Sequence, residues 1–325
     1  MRAPEFWYRP AGILAALLAP LGWLYGAAVA LRLRFAKPWR APVPVICVGN
    51  LIAGGAGKTP VVLDLATRLA SQGIAVHVIS RGYGGTEPGP LRVDPNRDGF
   101  EAVGDEPLLL AEACPTWVAK DRRAGVEAAV AAGAKAVILD DGFQNPSVAK
   151  DVSLIVVDGG AGFGNGRVMP AGPLRESVSH GLARADAVVV MGEDRAGIAS
   201  NADALPVLRA DLQPTPDAER LAGHAVVAFA GIGRPAKFFD TVRDVGCRIE
   251  ETAAFPDHHP FTERDIEPLS ARAEAADATL ITTAKDAKRL PQAAGRAIEV
   301  LTVAVTWEKE TALESLLSPV LDHVH

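Results

Sequence analysis

Short apolar runs alternate with helical patterns along most of the chain after Pro42. The runs are nearly continuous and rich in β-branched residues, which is typical of strands in a parallel sheet covered by helices on both faces. The predicted strands are Val45–Val48, Ala75–Ile79, Thr116–Ala119, Ala136–Leu139, Ser153–Val157 and Ala187–Met191, and the predicted helices are Val61–Ser71, Glu106–Ala113 and Arg122–Ala132. The pattern predicts an α/β fold whose ligands bind beyond the carboxyl ends of the strands.

A second alternating set follows a polar, proline-bearing stretch, Asp211–Glu219, which has the composition of a linker. Its predicted strands are His224–Ala230, Arg248–Ala253, Ala278–Thr282 and Val300–Val305, and its predicted helices are Ala236–Val245, Glu263–Ala275 and Glu308–Leu317. We therefore predict a first domain over residues 41–215 and a second, smaller α/β domain over residues 216–325.

The N-terminal region, residues 1–40, differs from the rest because no charged side chain occurs from Ala11 to Leu31. This length is near the roughly 20 residues needed to span a bilayer. Aromatic residues of the kind found at membrane interfaces lie in and beside the stretch, and basic residues follow it: Trp7, Tyr8, Trp23, Tyr25, Arg32, Arg34, Lys37 and Arg40. We predict a membrane-anchoring helix, either spanning or interfacial, with a buried soluble helix as the alternative.

Composition and charge exclude several classes of protein. The chain has 325 residues, of which 49% are hydrophobic and 22% charged, so it is globular rather than disordered. Its formal net charge of −6 gives no reason to expect nucleic acid as a partner. The cysteines, Cys47, Cys114 and Cys247, are far apart, which argues against a disulfide framework or a zinc site.

The segment from Val48 to Pro60 places a glycine-rich turn between a predicted strand and a predicted helix. This order is that of a phosphate-binding loop, in which Lys58 reaches the β- and γ-phosphates and Thr59 binds Mg²⁺. The usual pattern has glycine where this chain has Ile52, and a turn that binds nothing is the alternative. The candidate nucleotide-binding residues are Gly54, Gly55, Ala56, Gly57, Lys58, Thr59 and Pro60.

Acidic residues occur at two further strand or helix ends. Asp140 and Asp141 follow an apolar run, where a carboxylate is placed to bind Mg²⁺ or its water shell. Asp105 and Glu106 open a predicted helix, so they are either helix caps or functional groups. In the functional interpretation Asp105 accepts a proton from an alcohol, and Glu106 helps to hold the metal.

The loop from Phe255 to Phe261 contains two histidines beside a carboxylate. His258 is a candidate to orient Asp105 or tune its pKa across a cleft, although the sequence does not decide between His258 and His259. A structural turn is the alternative.

Basic residues near other predicted strand ends are candidate anion contacts. Arg81, Arg122 and Arg175 suit bidentate contact with phosphate, or belong to solvated loops. Lys285 and Asp286 end a strand of the second domain, where they either contact a nucleotide base or place Asp286 as a helix cap.

Taken together, the ordered motifs resemble the tetraacyldisaccharide 4′-kinase family, the lipid A 4′-kinases. The resemblance extends over almost the whole chain, including the apolar N-terminus. It rests on Gly49-Asn50, Gly54-Gly55-x-Gly57-Lys58-Thr59-Pro60, Ser80-Arg81-Gly82-Tyr83-Gly84, Gly104-Asp105-Glu106-Pro107, Asp140-Asp141-Gly142-Phe143-Gln144, Gly172-Pro173-Leu174-Arg175-Glu176, Phe255-Pro256-Asp257-His258-His259 and Lys285-Asp286. Asn145 and Ala284 depart from the family pattern, in which histidine and an acidic residue are common.

The resemblance implies a phosphate-loop kinase domain joined to a smaller α/β domain. It implies ATP- and Mg²⁺-dependent phosphorylation of the 4′-hydroxyl of a tetraacyl glucosamine disaccharide 1-phosphate, giving lipid IVA at the cytoplasmic face of the inner membrane. The expected partners are this lipid and inner-membrane lipids, with no nucleic acid and no obligate protein partner.

The resemblance also assigns roles by motif. It implies catalytic roles for Lys58, Asp105 and His258, metal binding by Thr59, Glu106 and Asp140, and substrate contacts by Arg81, Arg122, Asp141, Gln144 and Arg175. One alternative is a GTP-hydrolysing switch or chaperone module that acts on a protein partner. A second is a membrane-tethered structural protein whose loop binds no nucleotide.

Overall fold

Two β-sheets covered by helices follow an apolar N-terminal helix. The computed structural model describes residues 4–202, 205–291 and 298–321. The helices are α1 (Ile13–Phe35), α2 (Lys58–Ser71), α3 (Phe100–Val103), α4 (Asp105–Ala111), α5 (Arg122–Ala131), α6 (Val178–Leu182), α7 (Ile198–Asn201), α8 (Pro235–Asp244), α9 (Glu263–Ala275), α10 (Ala284–Ala287) and α11 (Glu310–Leu321), with 3₁₀ helices at Glu5–Tyr8 and Pro216–Leu221. The strands are β1 (Val45–Gly49), β2 (Val76–Ser80), β3 (Leu91–Arg92), β4 (Thr116–Val118), β5 (Ala136–Asp140), β6 (Val152–Asp158), β7 (Ala187–Met191), β8 (Val207–Pro214), β9 (Ala225–Ala230), β10 (Arg248–Ala254), β11 (Thr279–Thr283), β12 (Ile298–Leu301) and β13 (Val303–Trp307).

The larger sheet has the order β13-β8-β7-β6-β1-β5-β2-β4-β3 and is parallel except for β13 and β3. Alternate residues of β1 face opposite cores, since Ile46 packs with α2 and α11 whereas Val45 packs with α5. Burial on both faces explains why the strands are continuous apolar runs. The predicted α/β fold with a parallel sheet is confirmed.

The smaller sheet, β10-β9-β11-β12, is entirely parallel. Phe238 and Val242 of α8 pack against one face, and Ile266 and Leu269 of α9 pack against the other. Amphipathic helices on a parallel sheet thus repeat the construction of the larger sheet.

The C-terminal end of the chain returns to the larger sheet, contrary to the predicted domain division. Residues 207–214, partly assigned to a linker, form β8, and the predicted strand Val300–Val305 is two strands in different sheets. β13 pairs with β8, and α11 packs into the core beside α2. The prediction that residues 216–325 form one smaller domain is therefore wrong at its C-terminal end.

The apolar N-terminal stretch forms α1, which is long and apolar enough to cross a membrane by length and composition. Much of its surface is apolar and exposed, for example Leu17 at 72% and Leu24 at 70%. Where α1 meets the rest of the protein, Gly22 lies so close to the Val168 carbonyl that a Cβ atom would approach the oxygen within 2.6 Å. The helix is thus fixed along one line while its remaining faces stay uncovered.

Candidate active site

The phosphate-loop candidate lies at the carboxyl end of β1, which is flanked by β5 and β6. Gly54 and Gly57 have φ angles of 128° and 86°, which glycine adopts without a steric penalty. Gly57 is the N-cap of α2, so Lys58 and Thr59 occupy its first turn, where backbone N–H groups suit an anion. Asn50 Nδ2 donates to Gly54 O over 3.1 Å and holds the turn in place.

Ile52 replaces the usual glycine because the start of the loop belongs to a small antiparallel bridge. Ile52 pairs with Leu174, and Ala53 N donates to Pro173 O over 2.8 Å. The Ile52 side chain is buried in the core on this face of the sheet. Ile52 therefore anchors the start of the loop to the core, and the glycine-rich part, from Gly54 to Gly57, takes no part in this bridge.

Lys58 and Arg175 converge on Asp141. Lys58 Nζ lies 3.5 Å from Asp141 Oδ1, and Arg175 Nη1 donates to both carboxylate oxygens over 2.8 and 3.0 Å. Burial raises the pKa of Asp141, but Lys58 and Arg175 outweigh it and bring the pKa to about 2. Arg175 also donates to Gln144 Oε1 over 3.3 Å. These residues form one cluster in which two cations share one carboxylate, an arrangement suited to an anionic ligand.

Asp140 lies at the end of β5 and is 2% exposed. Its Oδ2 accepts a hydrogen bond from Ser80 Oγ over 3.0 Å, whereas Oδ1 has no partner among the described residues. Burial raises the pKa of Asp140 to about 7, and the negative charges of Glu106 and Asp141 add to the rise. An ionised Asp140 therefore requires a nearby cation.

Thr59, Glu106 and Asp140 fit the requirements of Mg²⁺, which binds through one or two carboxylates together with phosphate oxygens and water. The unpartnered Asp140 Oδ1 atom is the observation that favours this assignment. Across residues 4–202, 205–291 and 298–321, no group of three His, Cys, Asp or Glu side chains could hold a metal ion. A Mg²⁺ ion here needs further ligands from a nucleotide and water.

Asp105 opens α4 and is 3% exposed. His258 Nδ1 lies 3.0 Å from Asp105 Oδ2, and Glu106 N donates to Asp105 Oδ1 over 2.9 Å. Burial raises the pKa of Asp105, but the hydrogen bond with His258 and the charge of Lys285 outweigh burial and lower it. Asp105 is thus ionised at neutral pH, the state that a proton acceptor requires.

The two histidines of the 255–261 loop have different surroundings. His258 reaches across to Asp105, whereas the His259 ring stacks on Phe255 with a centroid distance of 4.9 Å. His259 Nε2 lies 3.2 Å from Asp265 Oδ2 within the same unit. The structure therefore favours His258 as the functional histidine and gives His259 a packing role.

Lys285 contacts Glu106 and His258 and does not line a surface that could bind a nucleotide base. Its Nζ donates to Glu106 Oε1 over 2.9 Å and lies 3.4 Å from His258 Nε2. Asp286 is fully buried, with Thr283 Oγ1 and Gly231 N as hydrogen-bond donors. The interpretation of this pair as a nucleotide-base contact is not supported, because Asp286 does not face an open site.

Arg122 is placed differently from the sequence prediction. It is 3% exposed, and its guanidinium donates to Ala119 O over 2.6 Å and to Asp140 O over 3.2 Å. The structure does not support the predicted substrate contact, because the buried side chain joins the ends of β4 and β5. Arg81, immediately after β2, is exposed and remains accessible to a substrate.

Two buried charged side chains beside the site were not predicted from the sequence. Glu176, which is 1% exposed, accepts hydrogen bonds from Arg184 Nη2 over 2.6 Å and from Gln144 Nε2 over 3.1 Å. Arg289, also 1% exposed, lies near Asp105. Glu176 lies in a segment selected for Arg175, but nothing in the spacing of Arg289 distinguishes it from an exposed arginine.

Known proteins resemble this chain over almost its whole length. The protein-family model described as tetraacyldisaccharide-1-P 4′-kinase matches residues 14–322. A tetraacyldisaccharide 4′-kinase from Rhodospirillum centenum is 56% identical over 327 residues, covering 99% of this chain and 97% of that protein. One from Paramagnetospirillum magneticum is 54% identical over 326 residues, covering 100% of this chain and 99% of that protein.

A solved structure is similar over the same extent. The crystal structure of the "apo" form of LpxK from Aquifex aeolicus in complex with ATP has a TM-score of 0.75 and 27% sequence identity. The match covers 95% of this chain and 99% of that chain. The sequence matches and this shared fold show that the chain belongs to the tetraacyldisaccharide-1-phosphate 4′-kinase family.

Proposed function

We propose that the chain transfers the γ-phosphate of ATP to the 4′-hydroxyl of a tetraacyl glucosamine disaccharide 1-phosphate, giving lipid IVA in lipid A synthesis. Family membership supports the reaction class. The observation that carries the proposal is an ionised Asp105, in contact with His258, on the same sheet edge as the cationic cluster around Lys58. An alcohol acceptor needs a proton acceptor such as Asp105, and a nucleoside triphosphate needs positive charge such as that of Lys58.

Each residue of the site has a separate role in phosphoryl transfer. Lys58 and Arg175 leave Asp141 for the incoming phosphates and neutralise their charge. Asp105 accepts the proton of the 4′-hydroxyl as the new oxygen–phosphorus bond forms, and His258 fixes the carboxylate orientation. Mg²⁺, held by Thr59, Glu106 and Asp140, supplies further neutralisation of phosphate charge when bound.

Two cross-sheet contacts support a closed, water-poor site. His258, from a loop of the smaller sheet unit, contacts Asp105 of α4, and Lys285, from α10, contacts Glu106 of α4. Groups from both sheets thus surround the proposed acceptor position, an arrangement that limits transfer of phosphate to water.

Helix α1 supports action at a membrane, and we place the enzyme at the cytoplasmic face of the inner membrane. The 3₁₀ helix before α1 docks on the loop that contains Pro170, with Trp7 Nε1 donating to Pro170 O over 3.1 Å. Its last residue, Tyr8, reaches the phosphate loop, since a Cβ atom built on Gly54 would lie 3.6 Å from the Tyr8 hydroxyl. A lipid held in the bilayer beside α1 would therefore lie close to the nucleotide. Arg81, Asp141, Gln144 and Arg175 remain the candidate contacts for its phosphate and sugar groups.

The GTP-hydrolysing alternative is not favoured. The phosphate loop and the Lys285–Asp286 pair are its support in the sequence, but Asp286 is buried and hydrogen-bonded inside the smaller sheet unit. The related Aquifex aeolicus structure is a complex with ATP.

A kinase assay tests the proposal. We expect purified protein in detergent to form ADP from ATP only when the acylated disaccharide is present, and to be inactive with a 4′-deoxy disaccharide. GTP should support much slower turnover. Equal ATP hydrolysis with and without the disaccharide would contradict phosphorylation of a lipid alcohol.

A further inference from the structure

Arg289 is a buried cation at the boundary between the two sheets. It follows α10 in the smaller sheet unit and is 1% exposed. A guanidinium in such a position is costly unless charged and hydrogen-bonding partners surround it. Its partners therefore indicate why the chain keeps a charge here.

The guanidinium contacts both sheet units. Arg289 Nη1 donates to His259 O over 2.9 Å, and Nη2 donates to Gly231 O over 3.0 Å and pairs with Asp286. On its other side, Arg289 Nε lies 3.1 Å from Asp105 Oδ2, which is within ion-pair distance but outside hydrogen-bond geometry. Asp105 belongs to α4 of the larger unit, whereas the other partners belong to the smaller one.

Contacts within the smaller unit hold the Arg289 guanidinium in place independently of Asp105. Two carbonyl oxygens and Asp286 hold the Nη atoms, so the Nε edge has one available orientation. The plane also lies over the Phe261 ring, with Arg289 Cζ 5.6 Å from the ring centroid. Arginine suits this task because its donors occupy fixed directions in one plane.

The same Asp105 Oδ2 atom is also the partner of His258 Nδ1. Two groups from the smaller unit therefore meet one carboxylate oxygen from different sides. Asp105 Oδ1 accepts a hydrogen bond from Glu106 N within α4. The orientation of the carboxylate therefore depends on contacts with both units.

We propose that Arg289 is a positioning residue, which orients the Asp105 carboxylate for proton transfer when the loops of the smaller sheet are seated against α4. The inference rests on the proposed role of Asp105 as proton acceptor. A lysine could retain the positive charge here but could not hold both carbonyl groups and both carboxylates at once.

Lys288 offers a matched control. It has the same charge, is adjacent in sequence and forms an ion pair with Glu112 across the same boundary. That pair does not involve Asp105, so Lys288→Met removes a cross-boundary contact without altering the carboxylate.

The test compares Arg289→Lys, Arg289→Met and Lys288→Met for kcat, KM for ATP and thermal unfolding. We expect Arg289→Lys to fold and to lower kcat by about tenfold or more, with KM for ATP changed by less than about twofold, since misorientation affects the chemical step. Arg289→Met should lower kcat further, and Lys288→Met should retain kcat within about twofold. Wild-type kcat in folded Arg289→Lys would overturn the proposal, as would an equal loss in Lys288→Met.

A double-mutant cycle with Asp105→Asn separates positioning from general damage. We expect Arg289→Lys to reduce kcat by less than about twofold when Asp105 is already Asn. The full reduction in both backgrounds would overturn the positioning role. Unchanged kcat in Asp105→Asn alone would overturn the proposed proton acceptor itself, a result distinct from failure of Arg289→Lys.

Discussion

Adjacent carboxylates at the end of β5 have opposite electrostatic environments. Asp141 is paired with Lys58 and Arg175, whereas Asp140 has one hydroxyl donor and an unpartnered oxygen. The pKa of Asp141 is about 2 and that of Asp140 is about 7. We infer that Asp141 balances the charges of Lys58 and Arg175, whereas an ionised Asp140 needs a cation that these side chains do not supply.

We expect Asp140→Asn to stabilise the metal-free protein more at pH 8 than at pH 5. The pKa of Asp140 is raised from 3.8 to about 7, so the folded state favours the protonated carboxyl. That contribution to stability is complete below pH about 4 and is lost as pH rises through about 7. Urea unfolding in EDTA should give a difference in unfolding free energy between variant and wild type that grows by about 2–3 kcal/mol from pH 5 to pH 8. The same difference at both would contradict the raised pKa.

Lys58→Ala should lower kcat by roughly 10²-fold or more, because it removes a fixed positive charge from the phosphates. Steady-state assays with saturating disaccharide measure the effect. Lys135→Ala, at an exposed position, is the matched control and should retain activity. A loss below about threefold for Lys58→Ala would remove this lysine from the phosphate site.

The sequence allowed prediction of the side chains that follow a recognisable strand or helix end. Lys58, Asp105, Asp140 and Asp141 are of this kind, since strand order brings the ends of β1, β2 and β5 together. The burial of Arg122 could not be predicted, because its partners are backbone carbonyls whose positions depend on the folded strands. Arg289 was missed for the same reason.

Among the elements, the parallel strands were predictable because burial on both faces leaves a continuous apolar pattern. β8 was not, because only alternate residues near its start are buried and its end is polar. Its pairing with β13 joins segments far apart in the chain, and no local pattern specifies that partner. The split of Val300–Val305 into β12 and β13 likewise depends on which sheet each half meets.

Helix α1 is the element that we expect to bind the membrane. We expect Leu17→Glu with Leu24→Glu to reduce binding to anionic phospholipid vesicles more than tenfold, because burying each leucine contributes about 1.5–3 kcal/mol. Both residues are mostly exposed in the protein, so thermal stability should change little. Leu212→Glu, at an exposed leucine outside α1, is the matched control for vesicle co-sedimentation. Unchanged co-sedimentation of the α1 variant would argue against an anchor.

In the molecule as a whole, the chain leaves the larger sheet after β8, forms the smaller sheet and returns to the larger sheet at β13. After the smaller sheet, β13 pairs with β8 and α11 packs beside α2. Both connections of the smaller unit therefore start from one edge of the larger sheet. In this arrangement the His258 loop and Lys285 of α10 contact α4, where the proposed proton acceptor lies.

Trp307→Ala should destabilise the larger unit by about 3–5 kcal/mol, as for other buried tryptophans. Trp307 is 5% exposed, and its Nε1 donates to Asp64 Oδ2 in α2 over 2.8 Å. Urea unfolding followed by circular dichroism measures the change, with Trp23→Ala, which alters an exposed tryptophan of α1, as the matched control. Equal stability of the two variants would contradict the packing of the C-terminal return.

The position of the transferred phosphate tests the central proposal most directly. The purified protein would be incubated with ATP, Mg²⁺ and the acylated disaccharide 1-phosphate, and the product analysed by ³¹P–¹H correlation NMR. We predict a new phosphate coupled to the proton on the 4′-carbon, formed by the wild type and lost with Asp105→Asn. A new phosphate on any other oxygen, or release of inorganic phosphate alone, would contradict the proposal.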